Sequence, residues 1–218
     1  MSPDQAPDEQ RQHWLRVFAE NPDMYGTDPS EPARFAINSF LRETARDVLE
    51  LGAGQGRDTI AFLNAGLRVT ALDYAADALR DIRDTAARLG VADQLTTVVH
   101  DVRESLPLTD ESVDAVYSHM LFNMALSTPE LDALATEVHR VLRPGGLHIY
   151  TVRHTGDLHY DNGVSLGDGM FEHGGFVVHF FDRPLVDRLA AGYSLIELDD
   201  FEEGDLPRKL WRITLQKQ

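Results

Sequence analysis

Apolar positions change period along the chain, and the changes mark its elements. Trp14, Leu15 and Phe18 give one apolar face between about Gln10 and Glu20, and the loop residues Asn21-Pro22-Asp23-Met24-Tyr25-Gly26 end that helix. Ser30 is placed to cap a second helix, with Pro32 in its first turn and Phe35, Ile37, Phe40 and Leu41 as apolar positions. From Asp47 short apolar runs alternate with helical patterns. Val48–Leu51, Leu67–Leu72, Leu95–Val99, Val113–Tyr117 and Leu147–Val152 read as strands. Helices are predicted over Arg57–Asn64, over Ala75–Leu89 with Gly90 as its stop, and from Pro129 to Leu142. Arg143-Pro144-Gly145-Gly146 reads as a turn. Such alternation predicts right-handed crossovers and a parallel sheet.

The last third differs. His154–Gly175 is rich in Gly, His and Asp and reads as a long loop or small insert. Phe176–Phe181 is strand-like, and Asp182 caps a helix to about Ala191. Ser194–Leu198 and Leu210–Leu215 follow as strands, with too short a link for a crossover helix, so they are expected to pair antiparallel. The acidic run Asp199–Asp205 is expected to be a solvated turn.

The 218 residues suit one domain, and 43% hydrophobic with 26% charged residues is a globular composition. A formal net charge of −16 disfavours nucleic acid and anionic membranes as partners. The absence of cysteine excludes disulfides, thiolate nucleophiles and zinc–thiolate sites. Met1–Gln12 has no apolar core of a secretory signal, and no apolar run approaches a membrane span, so a soluble cytoplasmic protein is expected. His154, His159, His173 and His179 crowd the late part at spacings that fit no helical metal site, and no metal is expected.

The chemistry starts at Val48-Leu49-Glu50-Leu51-Gly52-Ala53-Gly54-Gln55-Gly56. A strand ending in a Gly-rich turn that opens a helix places bare backbone against a ligand. Asp73, at the tip of the next strand, is placed to accept ribose hydroxyls. A nicotinamide site wants G-x-G-x-x-G, whereas Gly52, Gly54 and Gly56 are spaced G-x-G-x-G. Glu50, Asp73 and Asp101 form an acidic lining that suits a cation and not a pyrophosphate.

With Ala71-Leu72-Asp73-Tyr74, His100-Asp101-Val102, Asp114-Ala115-Val116-Tyr117-Ser118-His119 and Leu142-Arg143-Pro144-Gly145-Gly146, this segment resembles the ordered motifs of the class I S-adenosylmethionine-dependent methyltransferases. The resemblance implies an α/β fold: a Rossmann-like sandwich with a seven-stranded, mostly parallel sheet, a C-terminal antiparallel hairpin and helices on both faces. It implies one domain over 1–218, with 1–45 as an N-terminal helical lid, 46–153 as the cofactor-binding core, 154–175 as a substrate loop and 176–218 as the C-terminal helix and strands. The implied cofactor is S-adenosyl-L-methionine, leaving S-adenosyl-L-homocysteine. Gly52, Ala53, Gly54 and Gln55 would pass under its methionyl part, with Glu50 near the ammonium. Asp73 would hold the ribose, Tyr74 flank the adenine, Asp101 reach the adenine amino group and Val102 pack on the ring. Ser118 and His119 would lie beside the transferable methyl. Apart from the resemblance, the aromatic face of Tyr25, with Trp14, Phe18 and Met24, is placed either to close over the sulfonium as part of the cofactor site or to pack on the sheet edge.

The partner expected is a small molecule methylated on N, O, S or a metalloid, with the chain a monomer or homodimer. No Asn/Asp-Pro-Pro-Tyr/Phe follows the fourth strand, which disfavours nucleic-acid amine methylation. His119 is the first candidate for base or substrate-orienting group, His154 the second, and His159 or Tyr160 the third. The competing expectations are a nicotinamide-dependent oxidoreductase and a non-catalytic protein that keeps the cofactor pocket.

Overall fold

The computed structural model describes residues 6–21, 24–204 and 208–218. Helix α1 (Ala6–Glu20) and helix α2 (Glu31–Arg42) precede the sheet. Ser30 caps α2 by accepting from the Ala33 N–H, with Pro32 in the first turn. Then follow β1 (Asp47–Leu51), α3 (Arg57–Asn64), β2 (Arg68–Asp73), α4 (Ala76–Leu89), β3 (Leu95–Val99), β4 (Val113–His119), α5 (Thr128–Val141) and β5 (Leu142–Arg153). Gly90 closes α4 in the left-handed conformation. After β6 (Val164–Gly167), β7 (Met170–His173) and β8 (Phe176–His179) come α6 (Arg183–Leu189), β9 (Tyr193–Glu203) and β10 (Arg208–Lys217).

The main sheet has seven strands in the order β3-β2-β1-β4-β5-β10-β9. The first five are parallel, and β10 runs antiparallel to both β5 and β9. Alternating side chains on the buried strands feed two cores, one on each face of the sheet. Leu49, Leu51, Val116, Tyr150 and Val152 pack with the apolar stripe of α5 (Leu131, Leu134, Val138) and with Val186 of α6. Val48, Ala115, Tyr117 and Ile149 pack on the other side with Phe40 of α2, Phe62 of α3 and Leu79 of α4. The sheet thus has the architecture that the strand–helix alternation predicts.

Of the two alternatives for 154–175, the stretch holds a small insert and not a long loop: β6 and β7 pair antiparallel there and are joined by β8 in a separate three-stranded sheet. Two expectations need correction. Arg143–Gly146 belongs to β5, where a register shift against β4 absorbs the two glycines. The acidic run from Asp199 is strand up to Glu203, because each of its residues to Glu203 pairs with β10. β9 is therefore longer than its apolar pattern suggests and extends toward the C-terminal ends of the parallel strands.

Candidate functional site

Strand order reverses between β2 and β4 on either side of β1, so the loops leaving β1 and β4 diverge and open a crevice at the strand tips. The crevice floor is the Gly-rich turn. Gly52, Gly54 and Gly56 all have positive φ, at 72°, 52° and 84°. At Gly56 a Cβ would come within 2.4 Å of Ile82 Cγ1 on α4, so this position admits glycine alone. The Asp73 carboxylate at the tip of β2 ties the turn down. Its Oδ2 accepts from the Gly54 N–H at 2.8 Å and its Oδ1 from the Ala75 N–H at 2.8 Å. Each oxygen keeps a further lone pair.

Behind the turn lies a buried acidic layer. Glu50 is 3% exposed and accepts from the Thr59 hydroxyl. Asp58 accepts from the Ser30 N–H at 2.8 Å, the Ser30 hydroxyl at 2.7 Å and the Tyr117 hydroxyl at 3.0 Å, which fixes α2 and α3 beneath the crevice. Burial raises the Glu50 carboxyl well above the usual carboxylate range, and the charges of Asp58 and Asp73 add to the rise. Burial likewise raises Asp73 against the pull of its backbone donors. Neither Glu50 nor Asp73 has a Lys or Arg partner among the described residues. A positively charged group placed here would relieve that crowding, and a phosphate would worsen it.

Beyond Asp73, a cavity of about 60 Å³ is lined by Tyr74, Asp101, Val102, Arg103, Leu121 and residues of α1. Asp101 is engaged by Arg103, whose Nη2 donates at 2.6 Å, and this contact holds its carboxyl below the usual range. Helix α1 covers the crevice. Arg11 stands 5.5 Å over the Tyr74 ring, Arg103 pairs with Asp8 at 2.9 Å, and Phe18 lies over the bare Gly54. A ligand pocket for a nucleoside measures about 300 Å³ or more, so α1 fills most of the space an adenosine needs.

The far wall is the end of β4. Met120 leaves the strand with φ 58°, and its N–H is held by the Thr151 carbonyl at 3.1 Å and the Thr151 hydroxyl at 3.0 Å. Left-handed backbone at a non-glycine residue is strained and persists where surroundings impose it, as at functional sites. His119 is locked at both ring nitrogens: Nδ1 lies 2.7 Å from the Thr151 hydroxyl and Nε2 3.1 Å from Glu203. Arg57, the first residue of α3, reaches the same Glu203 carboxylate at 3.4 Å and stands 5.3 Å over the Tyr25 ring. Burial alone would raise the Glu203 carboxyl, but His119, Arg57 and Arg208 together bring it below its ordinary value.

The structure thus brings together Gly52, Ala53, Gly54, Asp73, Tyr74, Asp101 and Val102 around one crevice, with Glu50 beneath it and His119 and Tyr25 at its far end. Gln55 joins the rim by donating to the Asn21 carbonyl at 2.7 Å. Two expected residues do not join. Ser118 has no exposed surface, because its parity on β4 turns it into the core beside Val116. His154 is built into a turn: its Nδ1 accepts from the Gly156 N–H, and its ring stacks flat on Trp211 at 4.5 Å. His159 binds Asp157 and Arg153, and Tyr160 packs on Phe171 and Phe180. Sequence reasoning missed Arg57, Thr151 and Glu203. Arg57 follows the Gly-rich turn directly and carried a readable signal, whereas nothing local marked Glu203.

Residues 48–146 match the profile of a family described as "Methyltransferase domain". The chain is 39% identical over 122 residues to an uncharacterized methyltransferase of Mycobacterium tuberculosis, a match over 54% of this chain and 44% of that protein. It is 44% identical over 103 residues to the malonyl-[acyl-carrier protein] O-methyltransferase of Methylococcus capsulatus, over 45% of this chain and 34% of the relative. The chain therefore spans less than half the length of these curated relatives. Among solved structures, the Burkholderia thailandensis 1,6-didemethyltoxoflavin-N1-methyltransferase with S-adenosylhomocysteine superposes with a TM-score of 0.78 at 22% identity, over 100% of this chain and 91% of that one. No helix among the described residues is long and apolar enough to cross a membrane.

Proposed function

Because residues 48–146 match the methyltransferase-domain family and the chain shares the fold of an S-adenosylhomocysteine-bound methyltransferase, we propose that this chain transfers a methyl group from S-adenosyl-L-methionine to a small-molecule acceptor. The carrying observation is the buried Glu50–Asp73 layer, which has no cationic partner among the described residues and lies behind a turn of bare backbone. That donor set suits a ligand with an ammonium and a sulfonium and no phosphate.

When bound, the cofactor supplies a methyl group already activated on sulfur. The chain has to hold, align and exclude water. Gly52, Ala53, Gly54 and Gln55 would lie along the methionyl part, with Glu50 toward its ammonium. Asp73 has lone pairs left for two ribose hydroxyls. Tyr74 and Val102 would sandwich the adenine, and Asp101 would exchange its Arg103 contact for the adenine amino group. Helix α1, within the proposed lid 1–45, would swing off the crevice and reclose with Trp14 and Phe18 against the cofactor. Strands β6 and β7, within 154–175, would face the acceptor.

Equilibrium titration with S-adenosylhomocysteine and NAD in parallel tests this reading. The account expects stoichiometric binding of the first and none of the second. Binding of NAD alone would overturn it in favour of an oxidoreductase. Tight S-adenosylhomocysteine binding without methyl transfer to amines, phenols, thiols, carboxylates or metalloid oxyanions would favour a non-catalytic binding protein.

A further inference from the structure

We propose that Glu203, carried to the crevice on the end of β9, is the residue that receives the acceptor, and that the acceptor is an amine bearing at least one N–H. The inference rests on the methyltransferase reading and adds to it the acceptor class. Glu203 stands where two walls meet, touching His119 at the end of β4 and Arg57 at the start of α3. Its side chain is 24% exposed, so it is neither a surface group nor sealed in the core.

The hydrogen-bond directions decide the roles. A carboxylate can only accept, so His119 Nε2 carries the proton toward Glu203. His119 Nδ1 is then occupied by the Thr151 hydroxyl, which is itself fixed by the Met120 N–H. With both nitrogens engaged, His119 has no free lone pair for a substrate proton. It is a positioning residue. Glu203 uses one lone pair on His119 and one on Arg57, and an ionised carboxylate offers about four. The carboxylate therefore keeps acceptor capacity, and its 24% exposed side chain leaves that capacity open to an incoming N–H.

Among the described residues, the groups facing Glu203 are His119 from β4, Arg57 from α3, Arg208 from β10 and Tyr25 from the loop before α2. Together they keep it ionised, which suits an orienting anion and not a proton-abstracting base. The amine enters as the free base. One N–H donates to Glu203, and this aims the nitrogen lone pair away from the carboxylate. That pair forms the new N–C bond while the methyl C–S bond breaks and leaves its electrons on sulfur. The product is a methylammonium ion that pairs with Glu203 and later gives its proton to water.

The test uses the full chain saturated with S-adenosylhomocysteine, with the His119 ring nitrogens followed by ¹⁵N NMR. Benzylamine and phenethylamine at millimolar concentration are expected to shift the His119 Nε2 signal, and benzoate and benzyl methyl ether, which offer no N–H or O–H donor, are not; with S-adenosylmethionine, methyl transfer is expected to the amines and not to phenol or thiophenol. Glu203→Gln should abolish the amine-induced shift and lower amine methylation about 30- to 100-fold, while S-adenosylhomocysteine affinity changes less than about 3-fold. Glu203→Asp should restore part of the loss. His119→Asn should raise the KM for the amine, read above the amine's own pKa, more than it lowers kcat, because the donor that positions the Glu203 carboxylate is gone.

Shifts with benzoate or benzyl methyl ether instead of amines, or methyl transfer to phenol or thiophenol instead of amines, would overturn the proposal, as would no shift with any probe. A tenfold or larger loss of S-adenosylhomocysteine affinity in Glu203→Gln would place Glu203 on the cofactor and also overturn it. Failure of the wild type to bind S-adenosylhomocysteine would sink the underlying methyltransferase reading, a separate outcome.

Discussion

The wall of the crevice over β1 and β2 and the wall over β4 differ in how their residues are brought together. The first is local: Glu50, Gly52, Gly54 and Asp73 lie within one strand–turn–helix–strand unit, and a single carboxylate bridges turn and strand through Gly54 and Ala75. The second is assembled from a distance, with Tyr25, Arg57, His119, Thr151 and Glu203 arriving on five separate segments. The first wall is sensitive to backbone geometry. The second is sensitive to side-chain charge. The lesson is that one wall of a crevice can be fixed by a contiguous motif while the other depends on where long elements end.

The largest expected effect breaks the first wall. Gly56→Ala forces a Cβ into Ile82 at a φ of 84° and should destabilise the chain by about 3 kcal/mol, or roughly 6–12 °C in Tm by calorimetry. Next, Asp73→Asn should lower S-adenosylhomocysteine affinity about 30-fold or more by titration, since charged hydrogen bonds to the ligand and the turn are both weakened. Unchanged affinity would remove Asp73 from the cofactor site.

A third prediction sets the two walls against each other by pH. Glu50 has a raised folded pKa, so its proton is held more tightly folded than unfolded, and stability falls as pH rises above about 4.5. Glu50→Gln should therefore raise Tm at pH 7–8 by about 2–4 °C while weakening cofactor binding. Glu203 has the opposite sign. Its lowered folded pKa gives stability present above about 4.5 and lost as pH falls through the folded value. Glu203→Gln should lower Tm slightly at pH 7 and leave it unchanged in acid. Thermal scans of both variants between pH 4 and 8 would show crossing trends, and parallel trends would contradict the electrostatic account. The smallest effect is expected from Phe18→Ala, which uncovers Gly54 and should speed S-adenosylhomocysteine association several-fold in stopped flow without changing Tm by more than about 2 °C.

The same contrast explains what could be read from the chain. The parallel sheet and the crevice floor were legible because buried strands, Gly-rich turns and tip carboxylates announce themselves within a few residues. His119 was legible as a candidate by its place after a strand, but its engagement at both nitrogens depends on Thr151 and on the far hairpin. The acidic run from Asp199 looked like a turn because charged residues are disfavoured in strands; pairing with β10 overrides that preference. Strands β6 and β7 were hidden by their glycines, four of which (Gly167, Gly169, Gly174 and Gly175) adopt positive φ around the β6–β7 and β7–β8 turns. His154 misled because a histidine just past a strand has the same local signature whether it faces a ligand or stacks on Trp211.

The central claim is that the strand tips bearing Glu50, Asp73 and Asp101 bind the cofactor beneath α1. Hydrogen-exchange mass spectrometry with and without S-adenosylhomocysteine tests it most directly. The account predicts strong protection over residues 50–56, 73–75 and 101–103, with altered exchange in α1. Protection confined to other regions, or an unchanged pattern at saturating ligand, would contradict it.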